Sequence, residues 1–409
     1  MANIHSDLTS LFTDIASAIR EKGGSAEPIE AMAFPNAIRA IHVDNGEFNT
    51  LWNEMIGRSF INIINSSYSY ISSYVFAGCT ALTSVEFPVC TIIRERAFTN
   101  CTSLKSISFP VCAKICSSAF ESCTALTSVS FPACTSIGSD AFLKCTALKS
   151  VNFPACTSIG YAAFESCTSL TTVSFPVCTS IDNYVFNGCT SLKSVNFPSC
   201  TSIYGLAFMN CTNLTTVNFP VCTYIGAYAF ESCTSLTSVS FPVCTSISRD
   251  AFKNCTNLTT VNFPSCSYIG SSVFESCTSL KSVNFPACSY IGSHAFSGCT
   301  ALTSVNFPVC SYIASYAFND CTSLTTVRLS SCSYISGYAF ADCTRLISLY
   351  LTGSRMCSLT TSYAFYSTPI GGYSTAAGKY GSIYVPASLL SSYKKATNWS
   401  KFSSRFVGI

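Results

Sequence analysis

Ala119-Phe120-Glu121-Ser122-Cys123-Thr124-Ala125-Leu126-Thr127-Ser128-Val129-Ser130-Phe131-Pro132-Ala133-Cys134-Thr135-Ser136-Ile137 is the stretch that decides how this chain folds. The same pattern restarts 22 residues later at Phe142, and it runs unbroken from Phe76 to Phe340, thirteen times. Each unit is numbered here from that Phe as position 0. Apolar residues then recur at positions 0, 3, 6, 9, 11, 14 and 17, with Ala or Val usually just before the next Phe. Cysteine holds positions 3 and 14, so Cys79 to Cys343 form an eleven-residue lattice; only Cys116 and Cys357 lie off it. Neither a helical period of 3.6 nor strand alternation yields this spacing. Self-similarity at 20–29 residues is the mark of stacked coils around a common interior.

Within each unit, L-x-x-V-x-F places two side chains inward across a short strand and matches the L-x-x-L-x-L of leucine-rich repeats. The fold expected is a right-handed leucine-rich-repeat solenoid of thirteen 22-residue coils, with a parallel β-sheet on the concave side and little helix. Parallel strands about 4.8 Å apart make a rod roughly 60 Å long. Pro at position 12, from Pro88 to Pro308, closes the strand because it has no N–H to donate. Gly, Asn or Asp at position 2 (Gly78, Asn100, Gly188, Asp320) suits a tight turn. Thr at position 4 of every coil, Thr80 to Thr344, reads as a hydroxyl satisfying turn backbone.

Composition excludes several classes of function. Of 409 residues, 10% are charged and 48% hydrophobic, with net charge +3. No apolar run reaches the ~18 residues that would cross a bilayer, so no membrane insertion is expected. No basic block marks a nucleic-acid partner. No charged segment leads into an apolar one at the start, so no secretory signal is expected.

The 27 cysteines admit three readings. Metal binding needs clustered ligands, whereas successive lattice cysteines are eleven residues apart and only three His exist (His5, His42, His294), so no metal is expected. Disulfides are compatible with coil spacing, but both columns point inward in parallel and the total is odd, so none is expected. The reading adopted is that cysteine serves as a small buried apolar residue, with burial making the thiols inert.

The ends differ from the middle. Residues 1–45 carry two short amphipathic helical patterns, Leu8-Leu11-Phe12-Ile15-Ile19 and Pro35 to Ile41, too small for a core of their own. They are expected to act as an anchor or oligomerisation module, docking on themselves or on a larger assembly. Residues 46–75 read as a capping coil (Phe60, Ile63, Ile71), 76–362 as the solenoid, and 363–409 as a C-terminal cap. In that cap Ser382-Ile383-Tyr384-Val385-Pro386 reads as a final strand and 387–395 as helix.

The A-F-x-x-C-T-x-L-x-x-V unit followed by F-P-x-C-x-x-I resembles the BspA-type leucine-rich repeat, over about residues 60–365. The resemblance implies a surface adhesin or binding protein rather than an enzyme. Leu11 to Lys22, Phe34 to Ile38, Ile383 to Ser388 and Asn398-Trp399-Ser400 resemble segments of phage and prophage tail or structural proteins of gut Gram-positive bacteria. That implies a virion-associated protein, anchored through its N-terminal helices to itself or to other virion proteins as a homo-oligomer. Its solenoid would recognise a host surface glycan or protein. A bacterial cell-surface adhesin and a self-assembling fibre subunit are the alternatives.

No catalytic constellation is present. Glu121, Glu165, Glu231 and Glu275 at position 1 read as solvated turn residues, and no phosphate-binding or nucleophile motif occurs, so neither enzyme activity nor a cofactor is expected. His294, at position 20, reads as a variable surface residue. Two outward rows are the candidate binding residues. On the position-7 to position-10 ribbon lie Lys105, Lys149, Lys193 and Lys281, with a polar row of Asn152, Asn196, Asn218, Asn262, Asn284 and Asn306 suited to sugar hydroxyls. At position 16, Ser in early coils such as Ser136 gives way to Tyr224, Tyr268, Tyr290, Tyr312 and Tyr334. A tyrosine offers a flat apolar ring with a polar tip, suited to a glycan or a protein. Both rows also have a plain reading, as a soluble face and as a stabilising stack. An ice-binding surface is disfavoured by the Lys interruptions and by curvature.

Overall fold

A computed structural model describes residues 62–64, 68–373 and 380–409. The N-terminal module expected over residues 1–45 lies outside them, as does Phe60.

The repeat winds into a parallel β-solenoid of 22-residue coils with little helix. Positions 0, 3, 6, 11, 14 and 17 are buried in coil after coil, as at Phe208, Cys211, Leu214, Phe219, Cys222 and Ile225. Two phenylalanine columns fill the interior. Phe208 stacks on Phe230 at 5.1 Å in the position-0 column, and Phe197 on Phe219 at 5.5 Å in the position-11 column. The columns meet edge to face, Phe208 against Phe219 at 6.0 Å and 66°. Offset stacks and T-shaped contacts are the arrangements the ring quadrupole favours, so every coil can repeat the same packing.

Strands form in two places rather than one. The expected S-V-x strands at positions 8–10 pair in exact parallel register, Ser194↔Thr216, Val195↔Val217 and Asn196↔Asn218. They do so in separate sheets of three, three, two, three and five strands. The unbroken sheet lies elsewhere: two-residue strands at positions 16 and 17 pair from Tyr70–Ile71 onward, ending at Ser358–Leu359 two residues later in its coil, fourteen in all. Two residues are too few to display an alternation, so periodicity alone does not reveal this sheet.

The remaining corner is made of turns. Backbone φ is positive at position 2 of every coil from Gly78 to Asp342, and also at position 20 from Arg96 to Tyr338. Position 2 carries Gly, Asn, Asp, Ser or Lys; position 20 carries residues as unsuited to that region as Leu206 and Tyr316. Both conformations hold because they aim N–H groups at the next coil: Leu206 N donates to Ala227 O at 2.9 Å, Phe208 N to Ala229 O at 2.8 Å and Asn210 N to Glu231 O at 2.9 Å. A third ladder of hydrogen bonds therefore runs along the turns. The position-4 threonines act between coils rather than within one turn, as where Thr190 Oγ1 donates to Thr168 O at 3.4 Å.

At the C-terminal end Ser382–Val385 extends the five-stranded sheet, but it is not the last strand: Phe406–Gly408 pairs beyond it. A short helix, Leu390–Lys395, follows Ala387–Leu389. Tyr393 and Trp399 are buried against the last coil, where Cys357 N donates to the Tyr393 hydroxyl at 2.8 Å and Trp399 Nε1 to Cys357 O at 2.7 Å.

Candidate binding surfaces

The cysteines decide what the interior can do. All 27 are free thiols, and all but Cys116 are buried. Each column makes its own hydrogen bond. At position 3, Cys211 Sγ donates to Phe186 O at 3.2 Å, reaching back to the preceding coil. At position 14, Cys222 Sγ donates to Tyr224 O at 3.2 Å within its own coil. Thiol is therefore a small apolar filler that also gives a carbonyl an additional hydrogen bond, one that Ala could not supply. Burial pushes the Cys134 thiol up to about 11 and Cys156, Cys200 and Cys222 to about 12, so these sulfurs stay protonated and unreactive near neutrality. Cys332 behaves differently: Cys357 Sγ donates to Cys332 Sγ at 3.7 Å, holding the Cys332 thiol down and Cys357 up.

On the ribbon, Lys105, Lys149, Lys193 and Lys281 are exposed, as are Asn152, Asn196, Asn218, Asn284 and Asn306, with Asn262 half-buried. The asparagines bond to one another: Asn218 Nδ2 donates to Asn196 Oδ1 at 2.8 Å, Asn284 Nδ2 to Asn262 Oδ1 at 2.6 Å and Asn262 Nδ2 to Ser240 Oγ at 3.0 Å. Much of the row's capacity is therefore spent along the row itself.

The position-16 row sits on the unbroken sheet. Tyr268, Tyr290, Tyr312 and Tyr334 form one stack with centroids 5.1, 5.2 and 5.0 Å apart and planes within 10°. Their faces cover one another, so the stack presents ring edges and phenol hydroxyls rather than the flat faces the sequence suggested. Tyr224 stands apart, with Ser246 between it and Tyr268 in the ladder. Tyr204 touches Tyr224 edge to face at 6.4 Å.

A second aromatic column was not foreseen. Position 20 varies from coil to coil, but half-buried His294 also has an aromatic neighbour: its ring stacks on Tyr316 at 4.9 Å, Tyr316 on Tyr338 at 5.0 Å and Tyr338 on Tyr363 at 5.6 Å. The 22-residue spacing of His294, Tyr316 and Tyr338 was legible. What hid them was the assumption that a turn position varies freely. Near the other end, Ser73, Ile92, Arg94, Glu95, Lys114, Cys116 and Ser117 line an open depression of about 380 Å³. Arg94 lies over the Tyr70 ring at 5.0 Å.

The fold and these surfaces define a leucine-rich-repeat solenoid, a class that works as a binding scaffold; no enzyme family is indicated. Among the described residues no group of His, Cys, Asp and Glu is placed to hold a metal ion, and no helix is long and apolar enough to cross a membrane. Six copies of the BspA type leucine rich repeat region match residues 58–171, 157–281 and 267–377, and the chain belongs to that family. It is similar to a leucine-rich repeat protein from Bacteroides ovatus ATCC 8483, at 27% identity over 73% of this chain and 91% of that one, with a TM-score of 0.53. It is also similar to a leucine rich cell surface protein from Faecalibacterium prausnitzii A2-165, at 25% identity over 73% and 88%, with a TM-score of 0.43. No curated protein matches the chain.

Proposed function

We propose that this solenoid is a non-catalytic recognition rod, carried on an outer surface, which presents its position-16 face to a glycan or protein on a host cell. The observation that carries the reading is the tyrosine row on the one unbroken sheet. Fourteen paired strands hold those rings in fixed register, so little ordering entropy is lost when a ligand meets them. Tyrosine edges and hydroxyls combine apolar contact with hydrogen bonding, the combination enriched where proteins recognise partners. The asparagine row is the weaker candidate because its amides already bond to each other.

The carrier is proposed to be a phage virion, on the resemblance of the terminal segments, with residues 1–45 as the attachment or oligomerisation module. Membership of the BspA type family is equally compatible with a bacterial surface adhesin. The test is attachment of the purified chain to candidate host cells, with and without Tyr290→Ser and Tyr312→Ser together. Other coils carry Ser at the same strand position, Ser136 and Ser158 for example, so the double variant keeps a backbone the fold already uses. Loss of attachment with an unchanged circular dichroism spectrum supports recognition. Unchanged attachment, or none by the native chain, refutes it, and loss of assembly on deleting residues 1–45 would then favour a structural subunit.

A further inference from the structure

The tyrosine ladder has a missing rung. Along the unbroken sheet, Tyr224 pairs with Ser246 and Ser246 with Tyr268, after which tyrosine follows tyrosine to Tyr334. Within the stack each ring face is covered by its neighbour. Beside Ser246 that cover is missing, and only a small hydroxymethyl side chain stands between Tyr224 and Tyr268 in the ladder. Tyr268 is 44% and Tyr224 37% exposed, whereas Tyr290 and Tyr312, each stacked on both sides, are half-buried.

The width of this slot follows from the ladder. Neighbouring rings stand 5.1 Å apart at Tyr268 and Tyr290, so two steps separate Tyr224 from Tyr268 by about 10 Å. A ring inserted midway lies about 5 Å from each wall, inside the range at which stacked rings attract. Its surroundings are polar. The floor is the Ser246 hydroxyl. On one edge Ser248 Oγ donates to the Tyr224 hydroxyl at 3.0 Å. Next to Ser246 and Tyr268 in the chain, the exposed hydroxyls of Thr245 and Ser267 each donate to a carbonyl of the preceding coil, at 3.4 Å, and keep lone pairs free to accept. Two apolar walls with a rim of hydroxyls complement a pyranose, which has C–H faces and a hydroxyl perimeter. An aromatic side chain would satisfy the walls and strip water from the rim without replacing its hydrogen bonds.

We infer that the slot between Tyr224 and Tyr268, floored by Ser246, is a subsite for one pyranose ring of a surface saccharide, inserted as the missing rung of the tyrosine ladder. The inference deepens the recognition reading above and rests on it. The face of Tyr334 toward Ser358 is open as well, but it has no second wall opposite and holds no sandwich.

The decisive variant is Ser246→Tyr, which supplies the rung from within the protein. It should fold, because the four coils from Tyr268 to Tyr334 already carry tyrosine there. The full chain is presented to an array of soluble hexopyranose oligosaccharides, alongside peptides bearing an exposed Phe or Tyr. The expected result is binding to at least one saccharide, weakened at least tenfold by Ser246→Tyr and by Tyr268→Ser, with thermal midpoints at or near that of the native chain. Ser136→Tyr, at the same strand position five coils from the slot, should leave that affinity within about twofold. Native-like saccharide binding by folded Ser246→Tyr overturns the inference, and so does binding of aromatic peptides in place of sugars. Cell attachment that is lost with Tyr290→Ser and Tyr312→Ser but unchanged by Ser246→Tyr would sink the slot while leaving the recognition face intact. No attachment by the native chain would sink both.

Discussion

Raising the pH should unfold this protein through its thiols. Eight consecutive cysteines of the position-14 column are raised by burial from an ordinary 9.0: Cys134 and Cys178 to about 11, and Cys156, Cys200, Cys222, Cys244, Cys266 and Cys288 to about 12. Below pH 9 these thiols are protonated in folded and unfolded chains alike and contribute no pH dependence. Between 9 and the folded values, the unfolded chain has released protons that the folded chain retains, so stability falls as pH rises. Each thiol contributes about 1.4 kcal/mol per pH unit, and eight give a slope on the order of 11 kcal/mol per unit. Domain stabilities are typically about 5–15 kcal/mol, so the transition should be complete within roughly one to two units above pH 9. The assay follows thiolate absorbance and far-ultraviolet circular dichroism through the same titration. Thiolate should appear in one cooperative step, together with loss of the β signal. Gradual titration near pH 9 with the β signal intact would refute the burial argument, and no thiolate at all, even in denaturant, would mean the sulfurs are oxidised.

Three further outcomes follow from particular contacts. In native buffer a disulfide reagent should modify Cys116 alone quickly, and all 27 thiols once the chain is denatured, counted by mass spectrometry. Phe208→Ala removes a ring stacked on Phe186 at 5.3 Å and Phe230 at 5.1 Å, and should cost about 3–5 kcal/mol in denaturant unfolding. Because coils are coupled to their neighbours, that loss should split the transition near the middle of the rod. Tyr393→Phe leaves the buried Cys357 N–H without its acceptor, and should cost about 1–3 kcal/mol and speed alkylation of Cys357.

Where the readings succeeded and failed has one physical cause. A column of residues inside the coil is constrained at every repeat, so the phenylalanines at positions 0 and 11 and the cysteines at 3 and 14 announce themselves by spacing. Outward positions are constrained only by the neighbour above and below. His294 looked like surface variation because nothing in its own coil identifies it; Tyr316 in the next coil does. The strands at positions 16 and 17 escaped notice because a two-residue strand carries no pattern of its own and exists only through its partners.

Sequence alone determined the coil length, the composition of the interior and membership in the leucine-rich-repeat class, because the demand to bury the same atoms once per turn writes a period into the chain. Tertiary structure alone decided which sheet is continuous, that position 20 adopts a left-handed backbone, and that six ring faces of the tyrosine stack are hidden while Tyr224 and Tyr268 flank Ser246. Those outcomes depend on distances between residues in different coils, and a one-dimensional period gives the order of the rungs without showing which ring faces remain open.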